Sequence, residues 1–249
     1  MNGIEFDILI PAFVAGLLVL STHVPLGIKV LERGVIFADL AIAQIAGLGI
    51  ILAGLLNLAD RPVQLVAAGS ALLGAALLSA IEKYCPEVKE ACIGLTFVLS
   101  ASGGILLMSR DVHAGEHLKD LLAGQILWVN PQQLIATALL SAALLLVWKI
   151  RQAALGHFGF YALFALAVTA SVQLVGVYLV FASLIVPALS TWRIAKGRLL
   201  YAYAVGISGY AAGLLLSALF DLPSGAAIVW AMALAGGMVA LLTRGRSRI

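Results

Sequence analysis

Residues 158–189 read FGFYALFALAVTASVQLVGVYLVFASLIVPAL, a run of 32 residues without a charge. A helix crosses the hydrocarbon core of a bilayer with about 20 apolar residues. The run is too long for one crossing and short for two. It predicts either two tight helices, Phe158–Val172 and Leu174–Leu189, or one crossing followed by a broken, re-entrant piece. The flanks favour a chain that leaves one face and returns to it. Lys149 and Arg151 precede the run, and Arg193, Lys196 and Arg198 follow it. Basic residues collect in the loops on one side of a membrane. A single crossing would put these two basic flanks on opposite sides.

Outward from this stretch the same pattern repeats. Further apolar runs are Ile8–Ile28, Gly34–Leu58, Val63–Ile81, Ala91–Met108, Leu134–Val147, Leu199–Phe220 and Ser224–Leu242. Leu134–Val147 is short for a span, so its helix is expected to begin near Trp128. The sequence predicts an all-α, polytopic transmembrane bundle of about nine spans, with eight as the alternative, forming a single domain over residues 1–249. With nine spans and the N-terminus outside, twelve of the fifteen Lys and Arg residues fall in inside loops. Only Arg61, Arg110 and Lys119 fall outside. That asymmetry orients the chain, with a cytoplasmic C-terminus.

Bulk composition agrees. Hydrophobic residues make up 63% of the chain, charged residues 11%, and the mean hydropathy is +1.09. A water-soluble domain carries about 25% charged residues. The net charge of +3 sits in short loops between apolar runs, which excludes nucleic acid as the partner it serves. Cys85 and Cys92 read as incidental thiols on the reducing side. The acidic start MNGIEFD lacks the basic flank of a cleavable signal. Segments such as Gly69–Ala80 and Gly206–Ala218 are rich in small residues, which let helix backbones approach closely. There is no G-x-x-x-x-G-K-[ST] loop, so an ATP-driven process would need its nucleotide site on another chain. No motif for enzyme chemistry is evident.

The polar exceptions carry the functional reading. Asp39 lies within GVIFADLAIAQIAGLGI, and a carboxylate at a helix centre costs about 2.5–3.5 kcal/mol on insertion scales. Its default reading is functional; the alternative is an interfacial carboxylate paired with Arg33. Gln44 follows five residues on and can share a polar cavity or serve as interhelical glue. In RDVHAGEHLKD (Arg110–Asp120), His113 and His117 share a helix face with Glu116 beside them. Imidazole and carboxylate suit zinc or manganese, and a wet amphipathic helix is the alternative. Thr169, Ser171, Gln173, Ser183 and Pro187 suit an interrupted helix lining a path, or a kinked packing helix. His23 reads as a satisfied histidine near an interface.

Three segments together resemble the permease subunit of metal-ion ABC importers, the bacterial family for zinc, manganese or ferrous iron. They are LGIKVLERGVIFADLAIAQIAGLG (Leu26–Gly49), IGLTFVLSASGGILLMS with HLKDLLAGQILWV (Ile93–Ser109 and His117–Val129), and LVGVYLVFASLIVPALST (Leu174–Thr191). The first resembles the family's Gly-Asp-x-Leu-x-His signature. The third, the most specific, resembles its Val-Gly-x-Leu-Leu-Val-x-Ala-Leu-Leu-x-x-Pro-Ala segment. The resemblance covers nearly the whole chain and implies a fold similar to type II ABC importer permeases.

The resemblance also implies partners: a second copy of the chain, two cytoplasmic ABC ATPase subunits, and an extracytoplasmic metal-binding protein, all at a bacterial inner membrane. It implies no bound cofactor, only a transported divalent metal, with zinc ahead of manganese. Asp39 matches the family's intramembrane aspartate. The family histidine four residues later is Ala43 here, and Gln44 points about 100° away from that position on an ideal helix. The expected ligands are therefore Asp39 and Gln44 in the membrane, with His113, Glu116 and His117 as an outer site. An ATP-independent cation carrier and an ABC permease for a metal chelate are the rival readings.

Overall fold

A computed structural model describes residues 6–55, 63–108, 126–151 and 155–243. Among them are nine α-helices and one short 3-10 turn, Ile126–Trp128. The helices are α1 (Phe6–Arg33), α2 (Ala38–Leu55), α3 (Val63–Tyr84), α4 (Lys89–Met108), α5 (Pro131–Arg151), α6 (Gly156–Val175), α7 (Val177–Ser190), α8 (Arg198–Phe220) and α9 (Ser224–Leu242). Each apolar run of the sequence becomes one helix. Seven helices are long and apolar enough to cross a membrane; α2 and α7 carry shorter apolar segments, Ala38–Ala53 and Val177–Ser190. The all-α polytopic class is thereby borne out. Large side chains on the outside are apolar, with Leu73, Leu106 and Leu139 each exposing about 70% of their surface, as lipid-facing positions do.

The decisive stretch resolves into α6 and α7, broken at one residue. Gly176 has φ 81° and ψ 164°, a conformation open to glycine and costly for residues with a β-carbon. The break lies at Gly176 and not at Gln173, where the polar side chains suggested it. The start of α6 is tied to α3 by His157 Nδ1 to Glu82 at 2.9 Å. The far end of α7 leads into Arg198, which reaches Glu32 at the end of α1 at 3.4 Å. Arg33, next to Glu32, pairs with the same Glu82 at 3.1 Å. The beginning of α6 and the end of α7 thus lie at one end of the bundle, and the chain turns round at Gly176.

That shared end is rich in ion pairs. Lys29 bonds Glu32 at 2.8 Å, Lys89 donates to the carbonyl of Arg33, and the Arg33 guanidinium lies 4.1 Å over the Phe160 ring. Four of the basic residues placed on one side by the loop-charge argument, Lys29, Arg33, Lys89 and Arg198, therefore meet at one end of the bundle.

The helix after the 3-10 turn starts at Pro131, three residues beyond Trp128, and reaches Arg151, long enough to span. Its start is a reciprocal cap. Asn130 Oδ1 accepts from the Gln133 amide at 2.8 Å, and Gln133 Oε1 accepts from the Asn130 amide at 3.2 Å. Pro131 occupies the first helical position, where no amide is needed. Packing is closest where glycines meet neighbours. Gly209 and Gly213 of α8 lie against the backbone of Met232 and Ile228 in α9, so that a β-carbon on either would overlap it. The core lies where α1, α6, α7 and α8 meet, with Tyr161, Phe164, Leu184 and Tyr210 fully buried.

Candidate functional site

The site begins with the turn between α1 and α2. Gly34 at φ +65° ends α1, and residues 35–37 lead into α2. Glu90, in the first turn of α4, accepts the Phe37 amide at 3.0 Å and so holds this turn against α4. Asp39 follows in the first turn of α2, with only 1% of its surface exposed. It therefore sits at the ion-paired end of the bundle rather than midway along a span.

The alternative pairing with Arg33 is not formed, because Arg33 is taken by Glu82 and the Phe160 ring. Neither carboxylate oxygen of Asp39 is hydrogen-bonded to a side chain; the amides of Asp39 and Leu40 lie against the group, and the charge of Glu90 acts on it. Glu90 Oε2 is buried too, without a well-formed hydrogen bond, and the Ile36 amide lies against the same carboxylate. The buried hydroxyl of Tyr161 lies against Glu82, the carboxylate that also takes Arg33 and His157. Buried polar atoms are nearly always hydrogen-bonded, so the two unpartnered oxygens of Asp39 call for an explanation such as an ion.

Gln44 occupies a different face of α2. With Leu40 it lines a cleft of about 1080 Å³ whose other walls include Phe97 of α4, Tyr178 of α7, Trp230 of α9 and Trp128. Ala43, one turn beyond Asp39, is on the buried face with it at 3% exposure. Helical geometry separates adjacent positions by about 100°. Gln44 consequently does not stand where a residue four after Asp39 would stand. His113, Glu116 and His117 lie outside the described residues.

Other polar residues resolve as follows. His23 is fully buried within α1. Its Nδ1 lies 3.0 Å from both the Val19 carbonyl and the Thr22 hydroxyl, and its Nε2 has no partner. Ser183 donates to the Leu179 carbonyl at 2.7 Å and lies 2.9 Å from the Tyr210 hydroxyl. Ser171 is buried, Thr169 is buried with no partner for its hydroxyl, and Gln173 is exposed. Cys85 and Cys92 are both free thiols. Among the described residues no three His, Cys, Asp or Glu side chains are grouped to hold a metal. Glu90 was missed by sequence reading because it precedes an apolar run and so counts as loop. The signal was a carboxylate set directly at the mouth of a span.

The profile of the ABC 3 transport family matches residues 5–155 and 150–242. The chain belongs to the ABC 3 transport family. The resemblance to ABC importer permeases carried by the three quoted segments therefore holds. A "Probable iron transport system membrane protein" of Haemophilus influenzae is 31% identical over 163 residues, which span 57% of this chain and 60% of that protein. A chain of PsaBC from Streptococcus pneumoniae, solved in complex with a Fab, matches with a TM-score of 0.73 at 23% identity. The match covers 96% of this chain and 91% of that one, and shows that the fold is shared.

Proposed function

We propose that this chain is the membrane permease of an ATP-driven importer of divalent metal cations, working by alternating access. The observation that carries the reading is Asp39: a fully buried carboxylate with no cation partner, in a chain of the ABC 3 transport family. An intramembrane carboxylate without a structural partner marks an ion path. The iron-transport relative supports metal as the cargo class. Zinc, manganese and ferrous iron all remain within that class. His113, Glu116 and His117 would form an outer receiving site.

Two copies of the chain would enclose the path, with the cleft beside Gln44 as part of its wall. The end holding Lys29, Arg33, Lys89 and Arg198 faces the cytoplasm in this reading, at a bacterial inner membrane with the C-terminus inside. Hydrolysis would take place on separate ATPase subunits, which contact the turn after α7. Arg198 links that turn to α1 through Glu32 and to the Ala188 carbonyl at 3.3 Å. A movement of the turn would thus reach α1 and α7 together. An extracytoplasmic binding protein would deliver the metal. Asp39 is closed off in the conformation seen, as a site under alternating access is from at least one side. Its grip must remain weak enough for release.

The test is uptake of radioactive zinc, manganese and iron into cells that express the chain with its ATPase and binding protein. Metal uptake that needs all three components is expected, with loss in Asp39→Asn at unchanged protein level. Uptake that persists without the ATPase would instead establish an ATP-independent carrier.

A further inference from the structure

We infer that the ion-paired end of α1, α5 and α6 holds an anionic glycerophospholipid, with its phosphate between Lys29 and Arg33 and an acyl chain along the crevice beyond Trp148. The inference is independent of which ion the chain carries. A pocket of about 330 Å³ opens at this end, lined by Lys29, Glu32 and Arg33 of α1, Trp148 of α5, and Gly156 and Phe160 of α6. That volume lies at the lower end of the range for ligand sites. Its two cations are oriented but not exhausted. Lys29 gives one of its three donors to Glu32 at 2.8 Å. Arg33 gives Nη1 to Glu82 at 3.1 Å while the Phe160 ring holds its guanidinium flat at 4.1 Å. Both groups keep donors for a phosphate.

The carboxylates beside the pocket are already offset. Glu32 is held by Lys29 and Arg198, and Glu82 by Arg33 and His157. The last turn of α5 adds Lys149 and Arg151, both exposed, so the charge left over at the pocket mouth is positive. The loop-charge rule places this end in the cytoplasm. Basic pockets between transmembrane helices on that side suit anionic lipid heads. The apolar half of the ligand has its own wall. Beyond Trp148 a shallow crevice continues between Pro25 and Leu26 of α1, Leu144 and Leu145 of α5, and Leu163 of α6. Thr22 also borders it but gives its hydroxyl to the Val19 carbonyl at 3.2 Å. A chain would lie along this crevice rather than inside it. Trp148 belongs to both pocket and crevice, as suits a ring with an apolar body and a polar N–H. On α5 Leu146 and Ile150 are exposed at 58% and 67%, so the helix faces lipid and a lipid can enter sideways. A free anion would use only the pocket; the continuous polar-to-apolar wall fits a molecule with both a phosphate and a chain.

The test uses the full chain with Trp148 as its only tryptophan, by Trp128→Phe, Trp192→Phe and Trp230→Phe, in phosphatidylcholine vesicles. Bromine on an acyl chain quenches an indole that the chain touches. Brominated phosphatidylglycerol is expected to quench Trp148 more strongly than the same fraction of brominated phosphatidylcholine. Lys29→Gln should lower that preference about fivefold, the usual effect of one cation near an anionic surface. Glu32 keeps Arg198 in this variant, so the end of α1 stays tied. Lys196→Gln, a cation outside the pocket, should leave the preference unchanged. Equal quenching by the two lipids, a preference unaltered in Lys29→Gln, or an equal loss in Lys196→Gln overturns the inference. Should Lys29→Gln misassemble, an electron-microscopy map of the wild-type chain with a bound antibody fragment, in nanodiscs containing phosphatidylglycerol, decides. Lipid density over Trp148 with its head between Lys29 and Arg33 supports the site. An empty pocket, or one covered by a second copy of the chain, overturns it.

Discussion

Gly27 of α1 and Leu184 of α7 meet backbone to backbone: a β-carbon on Gly27 would overlap the Leu184 carbonyl. A flexible side chain could swing aside, but a carbonyl fixed in a helix cannot. Gly27→Ala must therefore push α7 away from α1. Overpacking of this kind costs about 1–3 kcal/mol. The expected outcome is a lower yield of monodisperse protein and a lower melting temperature in detergent. Gly69→Ala, at an open position with nothing near its β-carbon, should change neither and serves as the control.

Gly176 makes a second prediction, about the backbone itself. Its φ of 81° and ψ of 164° allow α7 to turn back toward the end where α6 began. A β-carbon in such a region costs about 1–3 kcal/mol. Gly176→Ala is expected to lower thermal stability to a degree that Gly94→Ala, at a helical glycine with open space, does not. Equal melting temperatures for the two variants would mean that the turn is not strained by a side chain.

Most of the fold could be read from hydropathy because lipid imposes one rule on every segment: its backbone groups must be satisfied internally. Among the described residues the nine apolar runs became nine helices. The errors lie where composition is blind to geometry. A single glycine, Gly176, places the break, and its torsion angles leave no trace in hydropathy. The helix at Pro131 reaches further back than its apolar run because Asn130 and Gln133, both polar, build its cap. At the site, Asp39 stood out as a charge inside an apolar run, and the divergence of Gln44 from its face followed from 100° per residue. Glu90 did not stand out, because its contact with Phe37 joins residues 53 apart in sequence.

Tyr210 and Ser183 test how much a buried polar contact contributes between α7 and α8. The two hydroxyls lie 2.9 Å apart, and Ser183 also donates to the Leu179 carbonyl. Tyr210→Phe leaves Ser183 its backbone partner. The loss should be near the average for interhelical hydrogen bonds in membrane proteins, about 0.6 kcal/mol. Tyr210→Ala also removes a ring packed against Gly16 and opens a cavity. It should cost about 3–5 kcal/mol by analogy with Phe→Ala. Melting curves of the two variants separate the hydroxyl from the ring. Comparable losses would assign the contact a larger role than packing.

Asp39 and Gln44 are five residues apart but serve different surfaces, and transport should distinguish them. Asp39 is buried, while Gln44 faces the cleft with Leu40. Asp39→Asn keeps the size of the side chain and removes its charge, so a ligand role predicts that uptake falls to background. Gln44→Leu makes the cleft wall wholly apolar at that point and removes no charge. It should slow uptake by a factor of a few without changing which metal is preferred. Metal competition profiles check the second claim: labelled manganese uptake is challenged with unlabelled zinc in wild type and in Gln44→Leu. A changed profile in Gln44→Leu would bring the amide into the selecting site, despite its place on the other face of α2. An unchanged profile, together with loss in Asp39→Asn, leaves selection to the buried face.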